Sequence, residues 1–147
     1  MLPEGLRWIA FGAGAALALA LADFSVKLAA SRISTGLGAV IYGVCTLTIG
    51  LFWLIIGRAN GQPVFATREG LAAAVGVGIA FSFVTIFLYL TFATGVDISR
   101  AVPAIRIAGI LLASLLGIAL LREGLSLRYM VGFGLALVGI YLLVTAT

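Results

Sequence analysis

The chain has 147 residues, 63% of them apolar and 10% charged, with a formal net charge of +4. Soluble domains carry roughly 25% charged residues, so this composition excludes a water-facing surface and, at the length of one domain, a separate soluble unit. The positive charge is scattered, which argues against a nucleic-acid patch. The absence of His and the single Cys45 exclude a disulfide framework, a Cys/His metal site and a His-dependent triad.

In lipid a backbone must satisfy its own hydrogen bonds, so long uncharged runs are expected to be helices. Continuous rather than alternating apolar runs exclude a β-barrel. The expected fold is therefore all-α: a polytopic membrane protein, one domain over residues 1–147 built as a bundle of five transmembrane helices.

The first span, residues 8–30, contains Asp23 and Lys27. Arg7, an Ala/Leu run and Ala20-Leu21-Ala22 imitate a secretory signal, but the apolar stretch continues to Ala30 and is read as a helix. The second span, 36–57, is uncharged between Arg32 and Arg58 and holds Cys45 as a small packing residue. Asn60-Gly61-Gln62-Pro63 supplies turn chemistry before the third span, 70–92. The fourth, 98–121, contains Arg106, and Arg122-Glu123-Gly124 breaks the chain before the fifth, 129–144. Each approaches the ~20 residues that cross a bilayer, and the short connections make consecutive helices antiparallel neighbours.

Five spans put the termini on opposite sides. The side of the N-terminus then holds the loop charges Arg7, Arg58, Arg68, Arg122 and Arg128, against Arg32 and Arg100 on the other. The positive-inside rule favours a cytoplasmic N-terminus and an external C-terminus, with insertion in both orientations as the alternative.

Small residues recur every four positions: Gly70, Ala74, Gly78 and Ser82 in the third span, and Gly109, Ala113 and Gly117 in the fourth, with Gly132 and Ala136 starting a shorter stripe. Such stripes let backbones approach closely in lipid. The general expectation is packing within one subunit; the functional alternative is a dimer interface or a sliding surface.

Ionisable residues inside a span are costly and mark function by default. Asp23 and Lys27 are spaced i, i+4 with the acid first, the favourable order for a pair. If the first span exits at Ala30 and the fourth begins at Ile98, Asp23 lies about 10 Å and Arg106 about 12 Å below the same surface, at 1.5 Å per residue. One reading has all three lining a polar cavity for an anionic or zwitterionic solute, with Asp23 exchanging a proton. The other has Lys27 and Arg106 snorkelling to headgroups, with Asp23 neutralised by Lys27. Pro103 favours the second, since a helix starting there leaves Arg106 one turn from water. Tyr42, Trp53, Tyr89 and Tyr141 are weaker path candidates, and Trp8 and Phe11 read as an interfacial belt. Ser25, Thr46, Thr48, Ser82, Thr85 and Ser114 are expected to bond neighbours or their own backbone. No nucleophile–base pair, metal constellation or phosphate loop is present, so neither an enzyme nor a cofactor is expected.

Two stretches are similar to a known family. Ala22-Asp23-Phe24-Ser25-Val26-Lys27-Leu28-Ala29 matches its first-helix end, where a small or aromatic pattern leads to a lysine. Ile98-Ser99-Arg100-Ala101-Val102-Pro103 through Leu120-Leu121-Arg122-Glu123-Gly124-Leu125-Ser126 matches its fourth helix and following turn, before a glycine-rich fifth helix. Over nearly its full length the chain resembles the EamA-like domain of the drug/metabolite transporter superfamily. Two departures stand out: the turn reads Arg122-Glu123-Gly124 where the family has Gly-Glu, and Asp23 lies near a usual aromatic-glycine pair. The resemblance implies a small secondary transporter of a small metabolite in the bacterial inner membrane. Most relatives carry two inverted five-helix halves, so a single half implies a homodimer or a second small membrane protein as partner. The alternative from another class is a non-transporting accessory subunit of a larger membrane complex.

Overall fold

The computed structural model describes residues 4–122, 124 and 126–145; Glu123, on which part of the turn comparison rests, lies outside the described residues. Five α-helices follow in order: α1 (Glu4–Ala29), α2 (Thr35–Ala59), α3 (Arg68–Ala93), α4 (Ile98–Leu121) and α5 (Leu127–Thr145). The first four are long and apolar enough to cross a membrane, and α5 contains a shorter apolar stretch, Leu127–Leu143. Most large apolar side chains point outward, with Trp8, Phe11, Trp53 and Tyr141 each more than two-thirds exposed. That is the surface of a chain solvated by lipid tails, and the molecule is a polytopic membrane protein.

Local chemistry places the helix ends a residue or two beyond the apolar runs. Ser34 caps α2 by accepting from the Leu37 N–H at 3.4 Å, and Thr67 caps α3 by accepting from the Gly70 N–H at 3.1 Å. Ser126 does the same for α5, accepting from the Tyr129 N–H at 3.1 Å. These hydroxyls satisfy amides that have no partner inside the helix. Between α2 and α3, Gly61 adopts φ 76°, the left-handed turn position that glycine occupies without cost.

The fourth helix departs from the expectation built on Pro103. It begins at Ile98, with Asp97 at its N-cap, and carries Pro103 inside its second turn. As the sixth residue it lies past the amides that are free at a helix start, so its ring forgoes the bond a residue there would make to the Ser99 carbonyl. Arg106 therefore lies two turns into the helix and not one.

The chain forms two compact units, Met1–Gly95 with α1 to α3 and Val96–Thr147 with α4 and α5. Within the first, α3 is the central element: α1 and α2 both pack chiefly on it. This differs from the expectation that chain neighbours pack in sequence, since the main partner of α1 is α3. In the second unit α4 and α5 pack as a hairpin.

Candidate functional site

The buried residues of the first unit are Asp23, Gly38, Thr85, Leu88, Tyr89 and Phe92. They come from the last turns of α1, the first turns of α2 and the last turns of α3, and so gather at one end of the three helices. Toward the other end, residues 6–22 of α1, 43–56 of α2 and 68–84 of α3 are all exposed. The unit is packed at one end, and its side chains are exposed toward the other.

Two contacts make the packed end. The Lys27 ammonium stands over the Phe92 ring, 5.5 Å from its centroid, a cation–π contact between α1 and α3. Phe92 is 3% exposed, which strengthens such a contact by excluding water. On the other flank, Gly38 of α2 gives its missing side-chain space to Tyr89 of α3. A Cβ added there would stand 2.8 Å from Tyr89 Cε2 and Oη and closer still to Cζ. Only glycine lets the helix meet the ring at that distance.

Asp23 is 3% exposed, the only charged residue among the buried ones described. Asp23, Lys27 and Arg106 each make an interaction, and no buried side-chain nitrogen or oxygen among the described residues lacks a hydrogen-bond partner. The Thr85 hydroxyl, on the face of α3 that carries Tyr89 and Phe92, donates to Phe81 O at 2.9 Å. Ser25, Thr48 and Ser82 likewise donate to the carbonyl four residues back, at 2.7–2.8 Å, as expected of hydroxyls in lipid. A buried carboxylate, a half-buried ammonium and an aromatic face thus share one end of the unit. Such a set can hold a charged or zwitterionic solute, or pass a proton to and from the acid.

Of the residues singled out in the sequence, the structure brings Asp23 and Lys27 into this cluster. Arg106 belongs to the other unit, half-buried on α4. Tyr89 is at the centre of the packed end, Tyr42 is half-buried, and Trp53 and Tyr141 face outward. Gly38 and Phe92 were not anticipated. Gly38 carries no signal that separates it from Gly36 two residues earlier, which has nothing within 4 Å of its would-be Cβ.

The small-residue stripe of α3 is exposed within the first unit. Gly70, Ala74, Gly78 and Ser82 are exposed along α3, and a Cβ at Gly70 meets only the hydroxyl of its own cap, Thr67, at 3.1 Å. Gly78 and Gly109 have no described atom within 4 Å of a would-be Cβ. Ala113 and Gly117 line an open cleft of about 640 Å³ along α4, with Ser114 and Leu120. A stripe of small residues marks where a backbone can be approached, not by whom.

No family model, no curated protein and no solved structure matches this chain.

Proposed function

We propose that this chain is one half of a small secondary transporter of the drug/metabolite type, moving a small charged or zwitterionic metabolite across a bacterial inner membrane. The observation that carries the reading is Asp23: a carboxylate buried inside a membrane helix, one turn from a lysine seated on an aromatic ring. A charge at that depth is expensive to maintain and is kept where it serves a path or a proton relay. With a cytoplasmic N-terminus, the packed end of α1 to α3 faces outward. Reporter fusions are expected to place the N-terminus in the cytoplasm and the C-terminus outside; both ends in one compartment would overturn the five-span layout.

A single half needs a second copy or a small partner to enclose a solute. The exposed small-residue face of α3 offers a surface where another helix can approach. In proteoliposomes loaded with candidate metabolites, Asp23→Asn is expected to bring solute-driven flux and its proton coupling to background while the protein still inserts. Unchanged flux and coupling would remove Asp23 from the mechanism.

The same exposed small-residue faces favour one second reading, an accessory subunit that packs in a larger membrane complex. Ala113→Leu separates the two. An accessory subunit loses its partners on purification while Asp23→Asn leaves them bound; a transporter loses flux with Asp23→Asn.

A further inference from the structure

The second unit carries an apolar groove between its two helices that the transport reading does not use. It is an open groove of about 260 Å³, walled by Ile110, Leu111 and Ser114 on α4 and by Tyr129, Gly132 and Phe133 on α5. Tyr129 and Phe133 form a tilted aromatic pair, their centroids 6.3 Å apart, so one wall is a broad, stiff apolar surface. Gly132 leaves that wall open, with nothing described within 4 Å of a would-be Cβ.

The groove's position along the bilayer is set by the helix rise. Ile110 lies eleven residues before Leu121, the end of α4, so the groove reaches about 16 Å inward from the turn. The hydrocarbon core is about 30 Å thick, and the groove's deep end therefore lies near the midplane.

At the turn end stand Arg122 and Arg128, both exposed. With Glu123 they leave residues 122–128 a net charge of +1. Arg122 caps α4 at φ 54°, donating its N–H to Gly117 O. This is the left-handed position that helix ends normally give to glycine, and it is the one positive φ outside glycine among the described residues. An arginine is held there against its backbone preference.

We propose that this groove binds one anionic phospholipid of the adjoining leaflet. An acyl chain lies along Tyr129 and Phe133, and the headgroup phosphate sits at the Arg122 and Arg128 guanidiniums. Three observations select this occupant. A helix, at 10–12 Å across, lies on such a groove without entering it, whereas a single acyl chain is narrow enough to enter. The groove's deep end lies about a leaflet's depth from the turn. Guanidinium forks match phosphate oxygens in charge and geometry, and basic groups at the mouth of an interhelical groove recognise anionic headgroups.

The test uses the full chain, purified in neutral detergent and titrated with phosphatidylglycerol or phosphatidylcholine in mixed micelles, with binding read by native mass spectrometry and thermal shift. Phosphatidylglycerol is expected to bind about tenfold tighter than phosphatidylcholine or better. Arg122→Gln with Arg128→Gln is expected to bring the two lipids to the same affinity. Gly132→Leu fills the groove and is expected to weaken both lipids while helical content and monodispersity stay unchanged, since its side chain enters open space. Soluble glycerol phosphate is expected not to compete. Equal binding of the two lipids to the unaltered chain, retention of phosphatidylglycerol by a well-folded Gly132→Leu, or competition by glycerol phosphate would each overturn the proposal.

Discussion

Gly38→Ala is expected to destabilise the protein by about 1–3 kcal/mol, the usual cost of forcing an extra methyl into a packed site. The added Cβ stands 2.8 Å from two atoms of Tyr89 and closer to a third. Tyr89 is 7% exposed, so its ring has no open solvent or lipid to retreat into and α2 must move instead. The neighbouring position supplies an internal control. Gly36 faces open space, and Gly36→Ala is expected to be neutral or to stabilise α2 by up to about 1 kcal/mol, the helix-propensity difference between the two residues. Thermal unfolding in detergent measures both. Combining Gly38→Ala with Tyr89→Ala is expected to cost less than the sum of the single changes, because the clash disappears with the ring. Equal effects at Gly36 and Gly38 would mean that the α2–α3 seam is not set by this contact.

Asp23→Leu is expected to be more damaging than Asp23→Asn, and in a different way. The asparagine keeps the shape and some hydrogen bonding and loses the charge, so its main effect falls on flux. The leucine also strands the groups that Asp23 meets. Leaving a buried polar partner unmet costs about 1–3 kcal/mol, and more where the partner is charged. Lys27 lies one turn along the same face, so Lys27→Met is expected to recover part of this loss when made together with Asp23→Leu. Lys27→Met alone gives up the contact with Phe92, worth about 2 kcal/mol where water is excluded. A double-mutant cycle by thermal unfolding is expected to give a coupling of about 0.5–3 kcal/mol between positions 23 and 27. Additive effects would show that the two charges act apart. Loss of flux in a double variant that has regained stability would place the acid in the transport step rather than in the fold.

The five helices were legible because lipid imposes a length and a lack of charge that stand out in any window. The break at Asn60-Gly61 and the breaks flanked by charge are where the helices end. Ser34, Thr67 and Ser126 then extend each following helix beyond its apolar run by capping it. The packing partners were not legible. A helix that is apolar on all sides has no period that says which face meets protein and which meets lipid, so nothing distinguished Gly38 from Gly36 or marked α3 as the element on which α1 packs. The same limit leaves the small-residue stripes without a named partner: Gly78 and Gly109 have no described atom within 4 Å of a would-be Cβ. Asp23 and Lys27 were legible as candidates because a charge in a span has to be accounted for, whereas Phe92 was one of nine phenylalanines until the fold set it under the ammonium. Pro103 misled because proline favours the first helical position, whereas here it stands five residues after Ile98.

Pinning three rods at one end makes levers of them. With 25 residues in α2, the rod is about 38 Å long at 1.5 Å per residue. Pivoting it by about 10° around the Gly38–Tyr89 seam sweeps its distant tip through about 6 Å, roughly one helical pitch. A rearrangement small enough to leave a few contacts intact therefore becomes an opening of molecular size on the opposite face. The mechanical gain comes from where the few buried residues sit, and it would vanish if they were spread evenly along the rods.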